Sequence, residues 1–220
     1  MCGRFVLFAD DTAIQQMFNV DLLTSVAPRY NIAPTQPVAV ITNENPRQLD
    51  HFRWGLVPSW AKDINIGSKM INARAETLPE KPAFRAAFKR RRCLIPASGF
   101  YEWQQRETGK APMFIHLKDQ PLFAFAGLWE IWQAPDGGEL RSFTIVTTEA
   151  NEFMETIHNR MPVILHPDEY AAWLRPEDVP AAELMPLLQP YDSSAMTAYE
   201  VSKAVNRPTV DSPELIQPLH

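Results

Sequence analysis

Five short segments, rich in β-branched and aromatic residues, follow one another closely along the middle of this chain. They cover residues 93–97, 99–104, 113–117, 122–129 and 142–147. Segments of this composition, separated by gaps of hairpin length, predict the strands of a curved, mainly antiparallel β-sheet. The chain also contains 20 prolines and only 8 glycines. Because each proline fixes a backbone angle and removes a hydrogen-bond donor, this ratio argues against a bundle of long helices.

The flanking sequence predicts further strands and several short helices. Extended segments are predicted at residues 37–42, 48–57 and 70–74, and helices at 10–19, 79–92, 149–157, 167–174 and 180–188. The first helix begins with Asp10 and Asp11, and acidic residues at this end suit the helix dipole. Strands and helices that are grouped, not alternating, predict an α+β fold. We therefore expect one domain over residues 1–220, with a curved, barrel-like, mainly antiparallel sheet and flanking helices.

Charge and cysteine content narrow the function. A net charge of −5 argues against a protein that coats DNA generally. The basic run at residues 89–92 is interpreted as a solvated helix end. A localised phosphate-binding cleft stays compatible with the acidic net charge of the whole chain. Cys2 and Cys93 lie far apart and suggest no disulfide framework, and Cys93 is expected in a buried strand. No signal peptide and no apolar stretch of roughly 20 residues is found, which predicts a soluble, cytoplasmic protein with reduced thiols.

The start of the chain suits one particular electrophile. If the initiator Met1 is removed, Cys2 carries a free α-amine and a thiol on the same residue. An aldehyde reacts with both groups, because the amine forms a Schiff base and the thiolate then closes a five-membered thiazolidine ring on the same carbon. An ester or amide substrate would gain nothing from this pairing. Arg4 stands where it can bind a phosphate beside the reacting group.

Three further positions carry candidate chemistry. If the segment around Asn72 is extended, Asn72 and Arg74 share one face and form an oxyanion or phosphate site, or else the polar side of an edge strand. Glu102 stands among aromatic residues, a setting that suits a proton shuttle, although an outward position on an amphipathic strand is equally compatible. His158, in a predicted loop after a helix, is the candidate acid–base residue. No pair of histidines has metal-ligand spacing, so neither a metal nor a cofactor is predicted.

Seven motifs together carry a resemblance that covers almost the whole chain. They are MCGRF at the start, RYNIAP at 29–34, WGLVPSW at 54–60, INARAET at 71–77, CLIPASGFYEW at 93–103, IHNRMP at 157–162 and VSKAVN at 201–206. In this number and order they resemble the SRAP (SOS-response-associated peptidase) family of abasic-site-processing proteins. The resemblance implies the SRAP fold and a covalent thiazolidine link to an abasic site in single-stranded DNA.

The resemblance also implies roles for individual residues. Cys2 would form the thiazolidine with the ring-opened aldehyde, and Asn72 would hold the sugar or the N-terminus. Glu102 would manage protons on the α-amine and assist removal of Met1. His158 would help to open the sugar ring and would support strand cleavage or reversal of the crosslink.

A second set of residues is implied to bind DNA. Its members would clamp phosphates, shape the nucleotide channel, or stack on bases along the channel or at a duplex junction: Arg4, Asn31, Pro34, Trp60, Arg74, Trp103 and Arg160. The expected partner is single-stranded DNA containing abasic sites, with the replication machinery as a further partner and no membrane. The protein is expected to be a monomer that associates with the nucleoid when bound to DNA.

Two other functions stay open at this point. In a thiol peptidase acting in trans, Cys2, His158 and Glu102 would be nucleophile, base and orienting group. A noncatalytic single-strand-binding protein would use arginine and tryptophan side chains and would be indifferent to loss of Cys2. The abasic-site interpretation differs from both, since it requires a thiol and a free amine on the same residue.

Overall fold

The computed structural model describes residues 2–219. Met1, whose removal is predicted above, and His220 lie outside the described residues. Within this range the chain forms strands β1 (Arg4–Leu7), β2 (Arg29–Ile32), β3 (Pro37–Thr42), β4 (Asp50–Trp54), β5 (Asn72–Arg74), β6 (Arg92–Ala97), β7 (Gly99–Arg106), β8 (Gly109–Leu117), β9 (Phe123–Gln133), β10 (Glu139–Glu149), β11 (Arg160–Pro162), β12 (Ile164–Leu165) and β13 (Met196–Glu200). The strands predicted from the sequence are confirmed, with ends displaced by a few residues.

Five of the strands close into a barrel. Neighbours pair in the order β10–β4–β3–β6–β9, and β9 pairs back with β10, which completes the ring. Pairing is antiparallel around the ring except between β10 and β4, which run parallel. β5 and β11 extend this sheet from β10, and β12 extends it from β9. The predicted mainly antiparallel, barrel-like core is therefore confirmed.

A second sheet of five antiparallel strands packs against the barrel in the order β13–β8–β7–β1–β2. The chain passes from the barrel to this sheet at Ser98, whose N–H donates to the Val6 carbonyl at 2.8 Å. One face of the sheet, which includes Phe100, belongs to the main hydrophobic core. The other face, which includes Tyr101, forms a smaller core with the C-terminal segment. Because strand side chains alternate, Glu102 points to the barrel side.

The helices are short and surround the sheets: α1 (Asp11–Phe18), α2 (Arg85–Arg90), α3 (Glu152–Glu155), α4 (Tyr170–Trp173) and α5 (Ala181–Leu184). The predicted first helix is confirmed, and its start is capped by Asp10, whose Oδ1 accepts from the Ala13 N–H at 2.8 Å. It ends at Asn19, which adopts a left-handed conformation with φ of 53°. The three helices predicted in the last third are also present, although each is shorter than expected.

The helix predicted over residues 79–92 is present but shorter than expected. Only α2 is helical, and residues 78–84 form turns. Pro82 lacks a backbone N–H and disfavours helical geometry in the residue before it, which accounts for the late start. At the other end, Arg92 leaves the helix because it begins β6 and pairs with β9.

The basic run at residues 89–92 is divided by the fold, so its interpretation as a solvated helix end holds only in part. Lys89 and Arg90 are exposed and pair with one carboxylate, Asp178. Arg91 pairs with the buried Glu130 at 2.8 Å. Arg92 is completely buried, and its guanidinium donates to backbone carbonyls of α2, of the last residue of α4 and of the segment after α4. The Arg92 guanidinium thus connects two segments of the chain through hydrogen bonds and does not face solvent.

Candidate functional site

Cys2 is completely buried at the point where the chain enters β1. Its carbonyl oxygen accepts a hydrogen bond from Asn72 Nδ2 at 2.9 Å. Asn72 is held in place because β5 runs parallel to β10, with Asn72 opposite Ile145. The amide group of Asn72 thus anchors the backbone of Cys2, and its role in catalysis stays a prediction.

Glu102 lies on β7, and only 2% of it is exposed. It is close enough to Cys2 for its negative charge to act on the thiol. Burial first, and the Glu102 carboxylate second, raise the pKa of the Cys2 thiol well above its ordinary value. The thiol is consequently protonated at neutral pH in this arrangement. The alternative of an outward-facing Glu102 on an amphipathic strand is wrong, because this face of β7 packs on the barrel.

His158 follows α3, and its ring has a defined orientation. The backbone N–H of Arg160 donates to His158 Nδ1 at 3.0 Å. A neutral histidine that accepts at Nδ1 carries its proton on Nε2, so Nε2 is the donor nitrogen of this ring. Gln104 Nε2 donates to the Thr156 carbonyl at 2.8 Å, which ties this segment to the strand that carries Glu102. The predicted loop is partly wrong, since Arg160–Pro162 forms β11 on β10.

Arg74 and Arg160 lie on opposite sides of β10. Arg74 is opposite Thr147 in the parallel ladder, and it is exposed. Arg160 Nη2 donates to the Thr147 carbonyl at 2.7 Å, so its guanidinium lies back across the same strand. Glu76, to which the sequence assigned no role, forms a two-pronged ion pair with Arg160 at 2.6 and 3.0 Å. Its only sequence signal was a place inside the INARAET motif.

Arg4, Asn31 and Trp103 are brought together elsewhere, on the outer face of the second sheet. Arg4 Nη1 donates to Asn31 Oδ1 at 3.3 Å and to the Val205 carbonyl at 2.7 Å. Asn31 is completely buried, and its Nδ2 contacts three carbonyl oxygens of residues 205–210. Trp103 Nε1 donates to Asn206 Oδ1 at 2.8 Å. These side chains hold the C-terminal segment, and their assignment to DNA binding stays a prediction.

A surface cleft of about 410 Å³ opens beside Asn72. Its lining residues are Trp60, Lys69, Met70, Asn72, Lys81, Pro82, Ala83 and Phe84. Trp60 is 58% exposed, which is unusual for a tryptophan and suits contact with a flat ligand. The cleft thus joins an aromatic surface and two cations to the residue that anchors Cys2. Neither lysine was singled out in the sequence, because an isolated lysine carries no recognisable pattern.

The segment that carries Trp60 is positioned by a close backbone approach. Gly55 has φ of 118°, and a Cβ atom there would lie 2.6 Å from the Gly67 carbonyl oxygen. Only glycine fits both requirements. Pro34 is half-buried in the turn after β2, and Thr35, which follows it, has φ of 72°. The N–H of Thr35 donates to the Trp54 carbonyl at 2.8 Å, so this turn contacts the start of the same segment.

Two negative observations apply to residues 2–219. No group of three or more His, Cys, Asp or Glu side chains in this range is arranged to hold a metal ion. No helix in the described part of the chain is long and apolar enough to cross a membrane.

Comparison with known proteins gives concordant results. Residues 1–208 match the model of a family described as SOS response associated peptidase (SRAP). The chain is 50% identical to the abasic site processing protein YoqW of Bacillus subtilis over 99% of both chains. It is 36% identical to the abasic site processing protein HMCES of Gallus gallus, over 87% of this chain and 66% of that protein. A crystal structure of a protein from Bacteroides thetaiotaomicron superimposes with a TM-score of 0.90 at 28% identity, covering 99% of each chain.

Proposed function

The chain belongs to the SOS response associated peptidase (SRAP) family, and from that premise we propose that it processes abasic sites in DNA. Relatives named abasic site processing proteins, at up to 50% identity, support this. We further propose that the reaction is covalent: Cys2, once Met1 is removed, forms a thiazolidine with the aldehyde of an abasic site in single-stranded DNA.

One observation carries the covalent proposal. Cys2 is buried, Asn72 holds its carbonyl at 2.9 Å, and the Glu102 carboxylate acts on it electrostatically. These contacts fix the backbone of the residue whose α-amine and thiol would both react. A fixed 1,2-aminothiol closes a ring on an aldehyde carbon without loss of further conformational freedom. A carboxylate at this position accepts the proton that the amine must lose before it attacks.

The chemistry of the two groups sets the order of steps. The amine attacks the aldehyde first and forms a carbinolamine. Loss of water gives the imine. The thiol then adds across the C=N bond, with sulfur bonding to carbon and the proton passing to nitrogen through Glu102. The thiazolidine forms with net release of one water.

His158 and the cations complete the proposed site. The abasic sugar exists mainly as a closed ring, and ring opening needs a proton on the ring oxygen, for which His158 Nε2–H is the proposed donor. Arg74 and Arg160 would bind the flanking phosphates. A single strand presents its sugar without unpairing a base, which favours this substrate. The cytoplasmic, monomeric state expected from the sequence stays a prediction.

The surroundings of Cys2 support a thiol peptidase or a noncatalytic DNA-binding protein less well than they support covalent trapping. A peptidase of the cysteine–histidine type needs a thiolate, whereas burial and Glu102 disfavour the thiolate of Cys2. A noncatalytic binding protein gives no reason to bury a carboxylate beside the first thiol of the chain. Both alternatives are retained as outcomes of the experiment below.

The experiment uses protein whose N-terminus is shown by mass spectrometry to be Cys2. Wild type and a Cys2→Ala variant are mixed with single-stranded DNA that carries one abasic site, and the products are separated on a denaturing gel. We expect a heat-stable adduct from wild type only. The variant keeps an α-amine, so we expect it to form an adduct only when borohydride reduces the imine.

Controls separate the alternatives. Cys93→Ala, which removes the other buried thiol, should form the adduct like wild type. Undamaged single strands and duplex DNA should give no adduct. Absence of an adduct from confirmed Cys2 protein would overturn the covalent proposal. In that case, thiol-dependent cleavage of peptides would identify a peptidase, and equal binding of wild type and Cys2→Ala to intact strands would identify a binding protein.

A further inference from the structure

The ion pair between Arg160 and Glu76 connects two segments 84 positions apart in the chain. Arg160 Nη1 donates to Glu76 Oε1 at 2.6 Å, and Nη2 donates to Oε2 at 3.0 Å. This is the two-pronged geometry in which a guanidinium recognises carboxylates and phosphates alike. Glu76 therefore stands where a phosphate would bind to the same fork.

Few donors of Arg160 remain for another anion. A guanidinium has five N–H groups. Two of them meet Glu76, and a third meets the Thr147 carbonyl at 2.7 Å. Nε is buried and has no hydrogen-bond partner in residues 2–219. An incoming phosphate would thus need to displace the carboxylate before it could form a two-pronged contact with Arg160.

Exposure shows which partner faces solvent. The Glu76 side chain is 50% exposed, whereas that of Arg160 is 15% exposed. The carboxylate covers the guanidinium on its open side. Hydrogen bonding from Arg160 lowers the pKa of Glu76, and Arg74 adds a smaller effect in the same direction. Glu76 is thus ionised at neutral pH and also acts on the second arginine proposed to bind DNA.

We propose that Glu76 is a specificity-determining residue: its carboxylate competes with DNA phosphates for Arg160 and so weakens binding to undamaged single strands. The inference rests on the proposed function, in which Arg160 faces a phosphate beside the lesion. An intact strand binds through reversible contacts only. The free energy needed to displace Glu76 from Arg160 therefore lowers the affinity for that strand directly. At an abasic site the covalent bond to Cys2 retains the DNA after the carboxylate has moved. Competition at Arg160 thereby favours damaged over intact strands.

The first test measures binding alone. Affinity for an intact, fluorescently labelled single strand is determined by anisotropy at several salt concentrations for wild type and Glu76→Gln. We expect the variant to bind about 2- to 5-fold more tightly, the size of effect typical of one partly exposed ion pair. Its affinity should also fall more steeply with salt, by about 0.7 in the logarithmic slope, because one further phosphate contact forms.

A matched control removes the same charge without the contact. Glu80 is exposed, lies four positions beyond Glu76 and makes no ion pair within residues 2–219. Glu80→Gln should change the affinity by less than about twofold. If it tightens binding as much as Glu76→Gln does, the effect is one of net charge and the proposal fails.

A double variant tests whether Arg160 carries the effect. In an Arg160→Gln background, the added change Glu76→Gln should no longer tighten binding or alter the salt slope. If it still does, or if Glu76→Gln alone binds intact strands as weakly as wild type or more weakly, Glu76 only orients Arg160 and the proposal is overturned.

The final arm uses crosslinking to an abasic strand in the presence of unlabelled intact strands. The Glu76→Gln variant should be inhibited by about 2- to 5-fold less competitor than wild type, in line with its tighter binding of intact strands. Inhibition of both proteins at the same competitor concentration would contradict the proposal. If wild type forms no adduct at all, the covalent function fails, while the binding arms still decide the role of Glu76.

Discussion

Replacement of Asn31 by alanine distinguishes a residue that holds the fold from one that contacts DNA. Asn31 was expected to line the nucleotide channel, but its side chain is completely buried. Its Nδ2 lies 2.7, 3.0 and 3.2 Å from the carbonyl oxygens of Val210, Arg207 and Val205. We therefore expect Asn31→Ala to lower the free energy of unfolding and to release the C-terminal segment.

The size of the effect follows from these contacts. The amide group has two N–H donors, so the three carbonyls share two hydrogen bonds. Each bond contributes about 1 kcal/mol, and a buried carbonyl left without a donor costs about 1–3 kcal/mol. We expect the free energy of unfolding to fall by about 2–4 kcal/mol, which corresponds to a melting temperature lower by roughly 4–16 °C for a chain of this length. Arg4 keeps its bond to Val205, which limits the loss.

Urea denaturation of wild type and Asn31→Ala measures this difference. Hydrogen exchange adds a local readout, because the amides of residues 205–210 should exchange faster in the variant. Asn65→Ala is the matched control: its side chain is exposed and, among residues 2–219, hydrogen-bonds only to Asp63, so we expect a change below about 0.5 kcal/mol. The reasoning is refuted if Asn31→Ala unfolds like wild type and its affinity for single-stranded DNA falls, since that result would identify a direct DNA contact.

Three further predictions concern the site and the barrel. Glu102→Gln should lower the pKa of the Cys2 thiol, because it removes a negative charge that raises this pKa. Alkylation of the thiol by iodoacetamide should therefore accelerate at a given pH, while crosslinking to DNA slows. An unchanged rate of alkylation would contradict this prediction. Gly127→Ala places a Cβ atom 2.2 Å from Ile95 Cδ1, which should cost about 1–3 kcal/mol in urea denaturation; wild-type stability would contradict it. The carboxyl pKa of Glu76 is lowered. Its ion pair with Arg160 is therefore complete at every pH above the ordinary carboxyl pKa, and it is lost only as the pH falls through the lowered pKa. The affinity ratio of Glu76→Gln to wild type should therefore stay constant between about pH 6 and pH 8, and a marked change in that window would contradict it.

Much of the fold was predictable because it depends on local preferences. Apolar β-branched segments and their short gaps identified the strands of the barrel, and Asp10 marked the start of α1. Strands with weaker local signals were not predicted. β1, β2 and β13 have mixed polarity, and they become strands only by pairing within the second sheet. The two ends of α2 were predicted wrongly, because Pro82 and the barrel pairing of Arg92 overrode the sequence pattern.

The sequence by itself determined the chemistry that is proposed for the site, because the 1,2-aminothiol that Cys2 would carry without Met1, and its reactivity toward aldehydes, are covalent properties of that residue. Motifs along the chain also indicated which other residues to consider. The sequence could not provide the environment of each residue. The period-two alternation of a strand assigns each side chain to one face of the sheet, but it does not say what packs against that face.

Only the tertiary structure decided those environments. It buried Glu102 beside Cys2 and placed Asn31 under the C-terminal segment, away from the cleft at Trp60. It also placed Glu76 on Arg160, across 84 positions of sequence. Such contacts form because barrel closure and sheet packing bring distant strands together. In a buried position, the protonation of a charged group depends on neighbouring residues, and no local sequence pattern specifies those neighbours.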